Sequence, residues 1–206
     1  MRIIAGKWRG HRLKALKGRG VRPTTDRVRE AWMAALGPRI PGAKILDLFA
    51  GSGALGLEAL SRGATEVVFV ERSRKAVGVI GANVSRLGAD AQCRVVVGDA
   101  MAFFRKLEPG GFDVILADPP YELGLAEKLL DTFSDKGFAR ELWVEHRSSE
   151  AMPPKTGLRQ RRYGDTTIST QRRDERAQLK ETFWRSTQAP LIRSPAGTNT
   201  SPAENT

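Results

Sequence analysis

The chain has 206 residues, 40% of them hydrophobic, which is enough for one domain with a sizeable core. A single cysteine, Cys93, and two histidines exclude an internal disulfide and a cysteine-rich metal site, and no metal centre is expected. No apolar stretch approaches the ~20 residues needed to span a membrane, and the charged N-terminus lacks an apolar signal segment, so a cytoplasmic protein is expected.

The net charge of +11 is unevenly placed. Residues 1–40 hold eleven Lys and Arg against two acids, and residues 41–154 hold thirteen against sixteen. Residues 155–185 hold nine against four, and the last 21 residues are neutral. A near-neutral body between two basic segments is the pattern of a protein that meets a polyanion. A solubilising surface explains a positive total more easily than it explains eight basic and no acidic residues in positions 1–25.

Residues 1–14 alternate loosely around Gly6 and Gly10, with Ile3, Ile4, Trp8 and Leu13 apolar, which predicts a small basic hairpin. Its Lys7, Arg9, Arg12 and Lys14 are candidate contacts to an RNA backbone, while Trp8 suits either the core or a stacking platform. Lys17 to Arg22 is glycine-rich and expected to be mobile. Pro23-Thr24-Thr25-Asp26 starts a helix, with a threonine able to cap and an acid in the first turn. Val28, Ala31, Trp32, Ala35 and Leu36 keep helical spacing up to the stop at Gly37-Pro38. Arg22, Thr24, Arg27 and Arg29 flank this helix start, a suitable place for phosphate, whereas Val28 and Trp32 are expected to pack on the body.

From residue 43 the pattern is repeated β–α. Strands are predicted near 43–48, 65–70, 93–97, 112–117 and 140–146, and helices near 54–62, 73–87, 100–107 and 123–134. Continuous apolar strands such as Val67-Val68-Phe69-Val70 indicate a parallel sheet covered by helices on both faces. Cys93 opens the apolar run to Val97 and reads as a core thiol rather than a nucleophile. Arg159 to Tyr163 and Thr166 to Thr170, around Gly164-Asp165, predict an antiparallel hairpin closing the sheet edge. A short helix is possible near 175–184, and Ser194 to Thr206 has a disordered composition.

Gly51-Ser52-Gly53-Ala54-Leu55-Gly56 follows the first strand and opens a helix, so a ligand can approach the backbone and meet unpaired N–H groups. Nicotinamide, flavin and S-adenosylmethionine enzymes share that signal. Three acids discriminate among them. Asp47 at the first strand's end suits a cationic sulfonium better than a pyrophosphate. Glu71 ends the second strand, where it can accept from ribose hydroxyls. Asp99, with Ala100 beside it, follows the third and can accept from an adenine amine. Phe49, Ala50, Gly51, Ser52 and Gly53 complete the expected cofactor contacts, and S-adenosylmethionine is the expected cofactor.

Asp118-Pro119-Pro120-Tyr121 sits directly after the apolar strand 112–117. An exocyclic base amine is a poor nucleophile, because its lone pair is delocalised into the ring. The Asp118 carboxylate and the Pro119 carbonyl, fixed in direction by Pro120, can hold its N–H bonds and steer nitrogen towards a methyl group. Tyr121 can stack on the base. The two motifs together point to a methyltransferase acting on a nucleic-acid base, without separating guanine from adenine.

Met1 to Gly10, Arg22 to Glu30, Asp47 to Gly56, Asp118 to Tyr121, and Tyr163-Gly164-Asp165-Thr166 with Arg172-Arg173 resemble the bacterial 16S ribosomal RNA guanine-N2 methyltransferases of the RsmD type. The resemblance covers residues 1–173. It implies a class I S-adenosylmethionine-dependent methyltransferase fold, Rossmann-like, with a mostly parallel sheet and an antiparallel C-terminal hairpin. It also implies guanine in 16S ribosomal RNA, free or in a small-subunit assembly intermediate, as substrate, and a monomer is expected. The expected organisation is a basic RNA-binding extension over 1–40, a methyltransferase domain over 41–173 and a polar, largely disordered tail over 174–206. The rivals are an N6-adenine methyltransferase, disfavoured by the lack of a large target-recognition domain, and a non-catalytic assembly factor, disfavoured by Asp47, Glu71, Asp99 and Asp118.

Overall fold

A computed structural model describes residues 1–16, 26–108, 110–121, 123–136 and 138–173. The glycine-rich connection, the helix cap at Thr24 or Thr25, and the tail with its expected helix lie outside these residues. Met1–Arg173 is one compact unit. Its elements are α1 (Asp26–Leu36), β1 (Lys44–Leu48), α2 (Ala54–Ser61), β2 (Glu66–Glu71), α3 (Arg74–Arg86), β3 (Cys93–Val97), α4 (Ala100–Arg105), β4 (Phe112–Ala117), α5 (Leu125–Lys136), β5 (Ala139–Arg147), β6 (Leu158–Tyr163) and β7 (Thr166–Arg172). They build a seven-stranded sheet in the order β3-β2-β1-β4-β5-β7-β6. The first five strands in that order are parallel, and β7 runs antiparallel to both β5 and β6.

Each central strand alternates its side chains between two apolar layers. Ile45, Val67 and Phe69 face α1, α2 and α3, where Trp32, Leu57, Leu60, Ile80 and Val84 fill one core. Leu46, Leu48, Val68, Val70 and Ile115 face α4 and α5, where Phe104, Leu129, Leu130 and Phe133 fill the other. Trp32 is fully buried and Val28 packs against the first core, as their helical spacing implies. The hairpin joins the sheet through β7, because its side chains from Thr166 to Ser169 are buried, whereas Arg159 to Arg162 of β6 are all exposed.

The N-terminal segment forms a short hairpin, as its alternation implies. It contains a single antiparallel bridge, Arg2 to Arg12, flanked by bonds from the Ile3 N–H to the His11 carbonyl and from the Leu13 N–H to the Met1 carbonyl. A third bond runs from the Gly10 N–H to the Ile3 carbonyl at 2.9 Å, while the amides of Ile4, Ala5, Lys7 and Trp8 serve α2. The Glu58 carboxylate accepts from the Ile4 and Ala5 N–H groups at 2.8 and 3.0 Å, and Ser61 Oγ accepts from the Trp8 N–H at 3.0 Å. Gly6 makes this docking possible, since a Cβ there would lie 1.8 Å from the Ser61 carbonyl oxygen. Ile3 and Leu13 join the first core, so the segment is an arm laid on the body.

Candidate active site

The parallel order places the ends of β3, β2, β1 and β4 side by side, and the chain turns away from the sheet at each one. Asp99, Glu71, the Phe49–Gly53 turn and Asp118 therefore line up along one rim, the place where open α/β sheets bind ligands. β1 and β4 are direct neighbours, with Leu48 opposite Ala117, so the glycine turn and the Asp118–Tyr121 segment leave adjacent strands.

The glycine turn is held from below and from the side. Asp47 is 1% exposed and accepts the Gly56 N–H at 3.0 Å, fixing the first turn of α2. Burial pushes its carboxyl up from 3.8 to about 7; the Gly56 bond opposes this, while Asp118 and Glu71 add to it by like-charge repulsion. Asp47 thus acts on the site through the backbone it supports. Gly56 is itself required for packing, because a Cβ there would lie 2.4 Å from the Phe69 ring. Phe49 is the one non-glycine residue at positive φ, 58°, among the described residues. Such a conformation persists where the surroundings over-determine it, and the turn at a ligand rim is such a place.

The half-buried Glu71 accepts from the Gly51 N–H at 2.9 Å through one oxygen and from the Ser73 N–H at 2.8 Å through the other. A carboxylate has about four acceptor sites, so capacity for two hydroxyl donors remains. Asp99 is exposed and caps α4 by accepting the Ala102 N–H at 2.7 Å, with Ala100 buried behind it. Gly51 is open on its ligand side: a Cβ there would find no atom nearer than 3.9 Å. A half-buried carboxylate, an exposed one and an open glycine backbone fit a nucleoside-bearing ligand with hydroxyl and amino donors.

At the end of β4, Asp118 is half-buried, Pro119 buried and Pro120 exposed. The Tyr121 hydroxyl donates to Glu145 Oε1 at 2.6 Å, and the Arg147 guanidinium lies 5.5 Å over its ring. Glu145 is buried and also accepts from Trp32 Nε1 at 3.0 Å. Burial first, and the Glu145 bond second, raise the Tyr121 hydroxyl well above the usual phenol range, so it stays protonated. Sequence reading overlooked Glu145 and Arg147, although an acid inside the apolar run Leu142-Trp143-Val144-Glu145 is a signal that a buried partner is needed.

The expected RNA contacts divide. Arg9, Arg12 and Lys14 are exposed, and Lys7 Nζ bonds Gln92 at 2.9 Å while lying 4.0 Å over the half-buried Trp8 ring. Arg29 must be corrected. It is 0% exposed, donates to the Arg2 carbonyl at 2.6 Å and faces Glu58 at 3.8 Å, so it is an internal strut beyond the reach of phosphate. Arg22, Thr24 and the side chain of Arg27 lie outside the described residues. Asn83, also overlooked, is fully buried and joins the arm to the glycine turn. Its amide accepts the Lys14 N–H at 2.8 Å and donates to the Lys14 and Ser52 carbonyls, each at 3.0 Å. Cys93 is half-buried, and burial pushes its thiol up to about 12, which removes it as a nucleophile.

The family model described as conserved hypothetical protein 95 matches residues 1–172. The chain is 40% identical over 157 residues to the ribosomal RNA small subunit methyltransferase D of Escherichia coli K12, covering 74% of this chain and 78% of that one. A solved hypothetical protein of Thermus thermophilus superposes with a TM-score of 0.72 at 32% identity, covering 84% of this chain and 99% of the other. An RNA methyltransferase of Salinibacter ruber, solved with S-adenosyl-L-homocysteine, shares the fold at a TM-score of 0.59 and 14% identity, covering 73% and 93%.

Proposed function

Because this chain belongs to the conserved hypothetical protein 95 family and is an RsmD-type methyltransferase, we propose that it methylates the exocyclic N2 amine of a guanine in small-subunit 16S ribosomal RNA. The observation that carries this reading is the adjacency of Asp118-Pro119-Pro120-Tyr121 to the glycine turn across the β1–β4 pair. A base amine held at Asp118 and a cofactor held at Gly51 then meet at one rim. The enzyme acts in the cytoplasm as a monomer, on free RNA or on an assembling subunit.

S-adenosylmethionine supplies a methyl group activated by a positive sulfonium. Glu71 and Asp99 would accept from its ribose hydroxyls and adenine amine, and the Gly51–Gly53 backbone would hold it. Asp118 and the Pro119 carbonyl accept the two N–H bonds of the target amine and turn its lone pair towards the methyl carbon. Asp118 would stabilise the positive charge that develops on the amine nitrogen as it is methylated, and its carboxylate would accept the proton the nitrogen then releases. Tyr121, with its hydroxyl committed to Glu145, offers a fixed ring face to the base.

The test is methyl transfer from labelled cofactor to deproteinised ribosomal RNA and to assembled subunits, with mapping of the modified nucleotide. Asp118→Ala is expected to lower the rate by ~10²–10³ while cofactor affinity stays within a few-fold. Near-normal turnover by Asp118→Ala, or a label on adenine, overturns the reading.

A further inference from the structure

A second cationic surface adjoins the site on the side opposite the arm. β6 is the outermost strand of the sheet, and its four residues Arg159, Gln160, Arg161 and Arg162 are all exposed, with no acid in the strand. Arg159 and Arg161 share one face about 7 Å apart, and Arg162 projects from the other. The hairpin's turn reaches the active-site rim. β7 begins where β5 ends, with Thr166 opposite Arg147 and Tyr163 opposite Thr166. Ser148 fastens the turn there, its N–H donating to the Asp165 carbonyl at 2.8 Å and its Oγ to the Gly164 carbonyl at 3.0 Å. Arg147, paired with Thr166 across the β5–β7 ladder, lies 5.5 Å over the ring of Tyr121, the ring assigned to the target base.

We propose that the exposed edge of the β6–β7 hairpin, through Arg159, Arg161 and Arg162, is a second RNA-docking rail that holds the phosphate backbone flanking the target nucleotide. This rests on the RNA-methyltransferase reading above. The arm contacts the glycine turn through Lys14 and Asn83, whereas the hairpin pairs with Arg147, which covers the Tyr121 ring, so the two basic surfaces bracket the rim from the cofactor side and from the base side. Charge on an edge strand also blocks pairing with other chains, a task that lysines and acids perform equally well. Three arginines without an acid suit phosphate better, because the planar guanidinium fork matches its oxygens in pairs.

The experiment is filter binding of deproteinised small-subunit ribosomal RNA across a salt series, comparing the unaltered protein with the triple variant Arg159→Gln, Arg161→Gln, Arg162→Gln. Each phosphate contact contributes about 0.7 (single strand) to 0.9 (duplex) to the log–log salt slope, so the variant's slope is expected to be shallower by about 2–3. Cofactor titration and thermal melting of the same samples report on folding. If the triple variant loses its melting transition, Arg161→Gln alone decides, with an expected change of about 0.7–0.9. An unchanged slope in a folded variant, with RNA still bound, overturns the rail and confines the charge to edge protection. Failure of the unaltered protein to bind RNA overturns both the rail and the function proposed above.

Discussion

Glu58→Gln tests whether the N-terminal arm is part of the folded body. The carboxylate is 0% exposed, accepts two arm amides at 2.8 and 3.0 Å, and faces Arg62 Nε at 2.8 Å and Arg29 Nε at 3.8 Å. Glutamine keeps one acceptor oxygen but turns an NH₂ group towards a donor, and it removes the negative charge beside a buried guanidinium. Removing one partner of a buried ion pair costs about 3–5 kcal/mol. Hydrogen bonds to a charged group contribute ~1.5–3 kcal/mol each, so losing one of the arm bonds alone accounts for roughly half of that. With a urea m-value of ~2 kcal/mol/M, the midpoint should fall by about 2 M at unchanged m. Arg62→Gln is the control. Its side chain is 22% exposed and its loss leaves both arm bonds to Glu58 in place, so it should cost less than loss of the carboxylate. A loss of under ~1 kcal/mol in Glu58→Gln, with m unchanged, would refute the view that the arm is bound through this carboxylate.

Asp47 makes stability depend on pH. Its folded carboxyl is raised to about 7 from 3.8, so the native state binds more protons than the unfolded chain in that window. The stability that Asp47 contributes is therefore fully present below about pH 4 and declines towards pH 7, by at most ~4 kcal/mol at 1.4 kcal/mol per unit. Asp47→Asn keeps an acceptor for Gly56 and should flatten this decline; parallel urea titrations between pH 4 and 8 that show identical slopes would count against it. Glu71→Ala should weaken S-adenosylmethionine by roughly 1.5–3 kcal/mol, measured by isothermal titration, with part of the loss arising from the released Gly51 and Ser73 amides. Tyr121→Phe keeps the ring and should lower the melting temperature more than turnover, whereas Tyr121→Ala should raise the RNA KM by about 5–150-fold, since base–aromatic stacking is worth ~1–3 kcal/mol. Equal activity in the two Tyr121 variants would remove the stacking role.

The strands were the most legible part of this chain. Those expected at 93–97 and 112–117 are β3 and β4 to the residue, because runs such as Val114-Ile115-Leu116-Ala117 can be buried on both faces only inside a sheet. The positions of the rim acids were legible for the same reason, as Glu71 and Asp118 directly follow such runs and Asp99 comes one residue later. The docking of the arm was not legible, because its partners lie more than fifty residues away. The alternation of Ile3, Trp8 and Leu13 gives the hairpin, but only Glu58 and Ser61 decide where it is laid. Arg29 misled for a related reason. A basic residue at a helix start resembles a phosphate contact until the packing of α1 on α2 encloses it. Asn83 carries no local pattern, since its role lies wholly in tertiary contacts, and the acid Glu145 inside an apolar run signals a buried partner without saying which.

The Asn83 amide is shared between two segments that sequence motifs treat as separate, the arm at Lys14 and the glycine turn at Ser52. Fixing either segment removes part of the conformational entropy that the other must lose on becoming ordered. Such coupling is reciprocal, so a ligand that orders the arm and a ligand that orders the turn raise each other's affinity by the same factor. Order of addition then becomes a thermodynamic irrelevance and a kinetic choice.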